Sequence, residues 1–307
     1  MRRQLSLTRA LAGLVLVGLV AAGLLACRGA SEPVARLSLR ERQLGFPHGR
    51  FLPLELRWEP SRALPAGTTA PVAFMHLIDA QGNVVRTFDH ALPGKWTPGQ
   101  TLVDVVPMYH SAIGPALPAG DYRLTIGLYD GKSQRFALQV EGEPIHREEY
   151  AVAQVRVPEV SAQEPAFAFS PEWQAVEAGG DRQTVARRWL SGDGALDVRG
   201  LPTPATVHML LRIPTVEPPL RLVLEPGATQ PIARVTADCG GFTAEVAGEG
   251  FHELAVPIKG GEGCHIAFDT NYQVVEMGTG RRLSLDLEQL GWEPGAGAMA
   301  TPGGVSP

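Results

Sequence analysis

Residues 121–129, with the sequence DYRLTIGLY, decide the fold class of this chain because apolar and polar side chains alternate along them. Tyr122, Leu124, Ile126 and Leu128 fall on one face, and the residues between them fall on the other. Successive side chains of a β-strand point to opposite faces of the sheet, so this period of two predicts a strand with one face on a core.

Comparable segments extend along the chain in both directions and are separated by turns rich in glycine and proline. After the N-terminal 26 residues, no long stretch has the 3.6-residue period of an amphipathic helix. Short alternating segments with frequent turns are typical of all-β proteins. The other predicted strands cover residues 51–58, 72–78, 84–88, 102–108, 135–140, 150–157, 167–177, 206–213, 220–224, 232–237, 253–258, 265–268 and 282–290.

The alternation also assigns faces within the outermost predicted strands. In residues 51–58 the side chains expected to point inward are Leu52, Leu54, Leu56 and Trp58. In residues 282–290 the expected core residues are Leu283, Leu285 and Leu287, with Arg282, Ser284 and Asp286 on the opposite face.

The spacing of these segments predicts an all-β protein with two consecutive antiparallel β-sandwich domains, immunoglobulin-like or jelly-roll-like. The break between them is the sequence PEVSAQEPA, which has two prolines and no periodicity. The predicted organisation is a signal peptide at 1–26, a tether at 27–34, a first sandwich at 35–157, a linker at 158–166, a second sandwich at 167–294 and a disordered tail at 295–307.

The N-terminus has the features of an export signal. Three arginines precede an apolar run at residues 10–26, and the run ends in Leu-Leu-Ala followed by Cys27. This ending resembles the lipobox that bacterial lipoprotein-processing enzymes read, which implies cleavage before Cys27 and acyl chains on its sulfur. The alternative is an uncleaved anchor, since the run is at the short end of what a spanning helix requires.

Lipidation of Cys27 would make the membrane a partner and place the protein in the cell envelope, outside the cytoplasm. Arg28 follows the cysteine directly. In Gram-negative lipoproteins an aspartate at that place is typical of retention in the inner membrane, so its absence favours the outer membrane.

Cys239 and Cys264 are the two remaining cysteines, and in an oxidising compartment they are expected to form a disulfide. The alternatives are a metal site or two free thiols. His265 adjoins Cys264, but no matching ligand flanks Cys239, and metal sites usually need further ligands nearby. We therefore expect neither a metal nor a cofactor.

The charge balance argues against nucleic acid as a partner. The formal net charge is −5, and the 27 lysines and arginines form no basic stripe.

Five short pieces of the first half occur in an order that resembles a known family. The family comprises the extracytoplasmic β-sandwich domains appended to bacterial membrane glycosyltransferases of the dolichyl-phosphate-mannose mannosyltransferase type, and the resemblance covers roughly residues 35–157. The pieces are FMHLIDAQG at 74–82, FDH at 88–90, WTPGQ at 96–100, PAGDYRL at 118–124 and IGLYD at 126–130.

The chain departs from the full-length family in having no series of membrane helices and no loop with a catalytic aspartate pair. The transferase activity therefore does not carry over. What the resemblance implies is a role at the cell surface in handling a glycan or another envelope polymer.

Side chains able to bind a ligand are concentrated in the first predicted sandwich. The expected ligand-binding residues are Asp89, His90, Trp96 and His110, with Trp96 available to stack on a sugar. The structural alternatives are histidines satisfied by backbone groups, a hydrogen-bonded His76 in its strand, and a Trp96 that caps the core. Tyr122 is expected to be a corner tyrosine that ties its strand to a loop.

No catalytic motif is evident, so the leading hypothesis is a non-catalytic lipid-anchored envelope protein whose sandwiches bind a glycan or an envelope protein. The second hypothesis is an enzyme acting on envelope polysaccharide or peptidoglycan. The third is a structural spacer.

Overall fold

The computed structural model describes residues 31–68, 71–161, 165–179, 183–201, 204–259 and 263–295. These residues contain 25 β-strands and no helix, which confirms the all-β prediction. Accordingly, the described part of the chain has no helix long and apolar enough to cross a membrane.

The first twelve strands form two sheets that pack face to face. One sheet has the order β10-β1-β3-β7, and the other has β11-β12-β8-β4-β5, with β2 on β12, β6 on β4 and β9 on β8. The strands are β1 Ala35–Leu39, β2 Gln43–Gly45, β3 Phe51–Pro60, β4 Val72–Ile78, β5 Val84–Thr87, β6 His90–Ala91, β7 Leu102–Tyr109, β8 Gly120–Tyr129, β9 Arg135–Phe136, β10 Leu138–Val140, β11 Glu143–His146 and β12 Glu149–Val157.

The core between these sheets follows the predicted alternation. Leu54, Leu56 and Trp58 are buried on one sheet, and Leu124 and Ile126 are buried on the other. The predicted corner tyrosine is also confirmed: the Tyr122 hydroxyl donates a 2.7 Å hydrogen bond to the Pro118 carbonyl. The predicted strand at 135–140 is instead two strands, β9 and β10, because Phe136 pairs with β8 and Leu138 pairs with β1.

The remaining thirteen strands form two five-stranded sheets and a small three-stranded sheet. Their orders are β13-β16-β22-β19-β20, β14-β15-β25-β17-β21 and β18-β23-β24. The strands are β13 Ala166–Phe169, β14 Glu177–Ala178, β15 Ala186–Trp189, β16 Gly194–Arg199, β17 Ala205–Ile213, β18 Leu220–Leu224, β19 Ile232–Ala237, β20 Phe242–Ala247, β21 Gly250–Ile258, β22 Gly263–Thr270, β23 Tyr272–Glu276, β24 Arg282–Leu283 and β25 Asp286–Pro294.

Two predicted strands in this half are divided. Residues 167–177 contain β13 and the start of β14, and residues 282–290 contain β24 and the start of β25. Leu283, Leu285 and Leu287 are buried as expected. Ser284 and Asp286, expected on the opposite face, are also completely buried, because other groups of the protein cover that face.

The predicted disulfide is present between Cys239 and Cys264. The two Cα atoms lie 5.0 Å apart, within the usual range for a disulfide. Cys264 lies in β22, and Cys239 follows the end of β19, the neighbouring strand in the same sheet. The bond therefore fastens the exit of one strand to its neighbour.

Backbone hydrogen bonds connect the two halves at β25. The Trp292 amide donates to the Gly49 carbonyl at 2.9 Å, and the Ala112 amide donates to the Leu290 carbonyl at 2.8 Å. Arg50 forms an isolated parallel β-bridge with Trp292. The last strand of the second half is thus held between two segments of the first half.

Side chains reinforce this contact. Ile113 comes from the first half but is buried in the apolar core of the second. Phe51 stacks on His208 with ring centroids 3.7 Å apart. Gly114 has a φ of +92°, and a Cβ at this position would lie 2.5 Å from the Ala186 Cβ, so the close approach requires glycine.

Some predicted segments lie outside the described residues. They are the signal at 1–26, the lipidation site Cys27 and residues 296–307 of the tail. The described part of the predicted tether, 31–34, lies against the first sandwich: the Val34 amide donates to the Ala137 carbonyl at 2.9 Å.

Candidate functional site

A cleft of about 510 Å³ lies between the two sandwiches. Its size is within the range of small-molecule sites. The first sandwich contributes an apolar wall, and the second contributes mostly polar side chains. The lining residues are Phe88, His90, Val106, Pro107 and Tyr109 from the first sandwich and Gln183, Thr184, Leu210, Phe251, Glu253, Glu288 and Gln289 from the second.

A β-bulge in β25 creates the polar wall. Leu210 pairs with Gln289 and Leu211 pairs with Leu287, so Glu288 has no partner on β17. The extra residue changes the phase of the alternation, as bulges do. Leu287 and Leu290 can therefore both be buried in the core, although they are three residues apart, while Glu288 and Gln289 both line the cleft.

Hydrogen bonds and an ion pair fix the two bulge side chains. The Thr184 hydroxyl donates to Glu288 Oε2 at 3.0 Å, and Arg212 lies 2.9 Å from the other carboxylate oxygen. The Gln289 side-chain amide donates to the Gln183 carbonyl at 2.6 Å. These contacts tie both bulge side chains to neighbouring groups of the second sandwich.

Three side chains that line the cleft have few contacts with the rest of the protein. Phe251 is 60% exposed. Glu253 makes no side-chain ion pair or hydrogen bond within the described residues, and neither does the Tyr109 hydroxyl. Burial, together with the charges of Glu253 and Glu293, raises the pKa of Tyr109, so its hydroxyl remains a hydrogen-bond donor.

His90 lines the cleft, and both of its ring nitrogens lie at hydrogen-bond distance from an oxygen. Its Nε2 lies 2.8 Å from Asp104 Oδ2, and its Nδ1 lies 2.9 Å from the Phe88 carbonyl oxygen. Burial alone lowers the pKa of His90, but these two hydrogen bonds and the charges of Asp104 and Asp89 outweigh burial and raise it. A protonated ring satisfies both acceptors, and through them His90 links the edges of the two sheets.

Asp89 borders the cleft through its backbone. Its carbonyl accepts a 2.7 Å hydrogen bond from the Gln183 side chain, which joins the two sandwiches at the cleft. Its carboxylate accepts from the Met75 amide at 2.9 Å and lies 3.8 Å from His76 Nε2. The carboxylate is therefore largely committed to the first sandwich.

His110, a candidate ligand residue, has the geometry of the structural alternative, a histidine satisfied by backbone groups. The residue is 1% exposed. Nδ1 lies 2.9 Å from the Phe46 carbonyl oxygen, and Nε2 accepts a 2.9 Å hydrogen bond from the Leu117 amide. Burial, aided by the nearby charges of His48 and Arg86, lowers the pKa of His110 to about 4. It is a neutral histidine that joins two loops.

Trp96 has the structural role that was the alternative to stacking on a sugar. It packs, partly buried, against the first core, and its indole nitrogen donates to the Arg62 carbonyl at 3.0 Å. Among the four expected ligand residues, only His90 lines the cleft.

Sequence reasoning missed three other lining residues: Tyr109, Phe251 and Glu253. The sequence offered one indication of the cleft wall. Two consecutive polar residues, Glu288 and Gln289, stand between Leu287 and Leu290, and such an interruption of the alternation is typical of a bulge.

A second polar cluster lies on the eight-stranded sheet. Glu149, the first residue of β12, is buried there. Its carboxylate lies 3.1 Å from His76 Nδ1 and accepts a 2.7 Å hydrogen bond from Thr125. The His76 hydrogen bond, with further contributions from Thr125 and Arg135, lowers the pKa of Glu149 to about 2 despite burial. The cluster holds β4, β8 and β12 together.

One group of three potential metal ligands occurs within the described ranges: Asp238, Cys239 and Cys264. Both cysteine sulfurs are engaged in the disulfide, so they cannot act as thiolate ligands. A lone carboxylate remains, which does not constitute a metal site.

Comparison with known proteins provides no functional assignment. No protein-family model matches the chain, and no curated protein matches it. Solved structures with some similarity include the secreted serine protease VesC from Vibrio cholerae, at 11% identity and a TM-score of 0.26, over 84% of this chain and 51% of that chain.

Two further similarities are equally remote. For α-2-macroglobulin from E. coli the identity is 14% and the TM-score 0.23, over 86% of this chain and 14% of that chain. For the β-glucuronidase of Bacteroides uniformis the identity is 9% and the TM-score 0.21, over 84% of this chain and 30% of that chain. This chain thus spans about half of VesC and smaller parts of the others, and at these TM-scores none of them bears on its function.

Proposed function

We propose that this protein is a non-catalytic, lipid-anchored protein of the cell envelope that holds a glycan in the cleft between its two sandwiches. The observation that carries the proposal is the arrangement of an exposed Phe251, an uncommitted Glu253 carboxylate and an uncommitted Tyr109 hydroxyl around one cavity. Anchoring through Cys27 outside the cytoplasm is part of the same proposal. It is supported by the lipobox resemblance and agrees with the disulfide.

A sugar ring fits the chemistry of these three groups. One face of a sugar carries C–H groups that can pack on an aromatic ring, and its edge carries hydroxyls. Glu253 would accept hydrogen bonds from those hydroxyls, and Tyr109 would donate one. A concave, mainly apolar pocket with a few well-placed polar groups is the usual form of such a site.

The state of the carboxylates favours binding over hydrolysis. Glycoside hydrolysis normally uses two carboxyl groups in separate roles. Two glutamates line the cleft, but Glu288 is already engaged by Arg212 and Thr184. Glu253 alone is left for a ligand, which suits a binding site better than an acid–base pair.

Direct binding measurements test this proposal. Soluble oligomers of glucose, mannose and N-acetylglucosamine would be titrated into the protein by calorimetry. We expect one class to bind, and Phe251→Ala to weaken that binding about tenfold or more, because a central aromatic contact is lost. Glu253→Gln and Tyr109→Phe are expected to weaken it by smaller factors.

Val223→Ala is the matched control, since Val223 is 44% exposed on β18 and does not line the cleft. Equal binding by Phe251→Ala and by this control would show that the cleft is not the glycan-binding site. If no oligomer binds and a defined envelope protein is retained through the cleft residues, the partner is a protein. Release of reducing ends from bound oligomers would replace the binding proposal with an enzymatic one.

A further inference from the structure

A second cavity, of about 540 Å³, lies at one end of the first sandwich. Its walls come from the segment before β1, the segment after β3, the turn before β9 and the turn before β12. These pieces meet because β1 begins where β3 ends, with Ala35 opposite Pro60, and β12 begins near the end of β8, with Glu149 opposite Gly127. The second sandwich is attached at the other end, where β3 begins.

The cavity combines apolar residues with arginine side chains. Val34, Leu64 and Phe136 are among its apolar residues. Three arginines and two glutamates line it, and the Glu149 carboxylate beside them pairs with Arg135. The charged lining residues are Arg62, Arg135, Arg147, Glu32 and Glu148.

The three arginines differ in how far they are already engaged. Arg62 pairs with Glu32 at 2.8 Å. Arg135 donates to the Arg147 carbonyl at 3.1 Å, packs on a phenylalanine ring and pairs with the buried Glu149 carboxylate at 3.5 Å. The Arg147 side chain is 88% exposed, and within the described residues its one ion pair is a 3.9 Å contact with Glu148. Its terminal nitrogens are therefore available as the planar fork that suits a phosphate group.

The short segment between Cys27 and the cavity limits how far the cavity can lie from the membrane. Ser31 lines the cavity and follows Cys27 by four residues. Four residues of fully extended chain span at most about 14 Å. Once Cys27 carries acyl chains, the cavity must lie within that distance of the lipid headgroups.

We infer that this cavity receives the phosphate group of an anionic membrane phospholipid, with the exposed Arg147 as its contact. The inference rests on the proposed anchoring at Cys27. Basic groups beside an anionic membrane surface are attracted to it, and the apolar residues of the cavity accommodate the glycerol region. The contact would orient the first sandwich end-on to the membrane.

Native mass spectrometry of the processed protein, extracted from membranes with its lipid, tests this inference. The probes are phosphatidylglycerol, phosphatidylcholine and soluble glycerol 3-phosphate. We expect one phosphatidylglycerol to be retained in preference to phosphatidylcholine. Arg147→Gln should lower this retention about tenfold, as expected for loss of a charge-assisted hydrogen bond. Arg221→Gln, an exposed arginine on β18, is the control and should leave retention unchanged.

Each other result contradicts a defined part of the proposal. A mature protein without acyl chains on Cys27 would overturn the anchoring and this inference together. If the acylated protein retains both phospholipids equally, the cavity assignment alone is overturned. The same holds if Arg147→Gln and Arg221→Gln change the retention of phosphatidylglycerol to the same extent. Displacement of phosphatidylglycerol by glycerol 3-phosphate would make the cavity a site for a soluble phosphate compound.

Discussion

His110 shows how burial decides the role of a single residue. Its position after a strand, near other histidines, made it a reasonable ligand candidate. In the structure both ring nitrogens are used by backbone groups, one as a donor to Phe46 and one as an acceptor from Leu117. This arrangement requires the neutral ring, which is why protonation of His110 opposes folding.

The protein is therefore expected to lose stability as the pH falls from 6.5 towards 4. The folded-state pKa of His110 is about 4 against an ordinary 6.5, so in this interval the unfolded chain binds the extra proton. The full effect is about 3 kcal/mol. Urea unfolding at a series of pH values would measure it.

His110→Gln provides the comparison, because an amide can supply one donor and one acceptor without titrating. We expect this variant to be less stable at pH 7 but to lose less stability on acidification. His146→Gln, at an exposed position, should retain the wild-type dependence. An unchanged acid dependence in His110→Gln would contradict the assignment.

At the scale of elements, the pairing of strands determines both the structure of the second sandwich and the polar wall of the cleft. The bulge in β25 directs Glu288 and Gln289 into the cleft, while Leu287 and Leu290 remain in the core. The disulfide secures β19 and β22, which are adjacent and antiparallel in the other large sheet of this sandwich.

Removing the disulfide with Cys239→Ser and Cys264→Ser together should destabilise the second sandwich by roughly 3 kcal/mol. The physical reason is that the bond, with a sequence separation of 25, restricts the unfolded chain. Calorimetry with and without reductant would measure the loss. The double variant should no longer respond to reductant; a wild-type protein that is equally insensitive would contradict the prediction.

At the scale of the whole molecule, the two sandwiches are joined by an interface that resembles a protein core. Ile113 reaches from the first sandwich into the apolar core of the second, and β25 exchanges backbone hydrogen bonds with both flanking segments of the first. The shape of the cleft depends on this attachment, because its two walls belong to different sandwiches.

Ile113→Ala is accordingly expected to destabilise the protein by about 2–5 kcal/mol, the usual cost of truncating a buried isoleucine. Because the side chain links the sandwiches, we also expect unfolding to separate into two calorimetric transitions. Val105→Ala, where the side chain is 55% exposed, is the control and should change little. A single, unshifted transition in Ile113→Ala would show that Ile113 contributes neither to stability nor to the coupling of the sandwiches.

Much of the secondary structure could be predicted from local patterns. The bounds of β4, β18 and β19 agree with the prediction, since alternation and turn residues are properties of consecutive positions. Several short strands were missed, among them β15, β16, β20 and β23. The cleft could not be predicted in the same way, because Tyr109 is distant in sequence from Phe251 and Glu253 and meets them through packing alone.

The sequence by itself determined that the protein is all-β, which faces of its main strands are apolar, and that Cys239 can pair with Cys264. Each of these properties depends on residue type and short-range spacing. Only the tertiary structure decided that His110 is a buried link, that Glu288 occupies a bulge, and that the two sandwiches enclose a cleft. These properties depend on which distant surfaces come into contact, and a period of two along one strand carries no information about that.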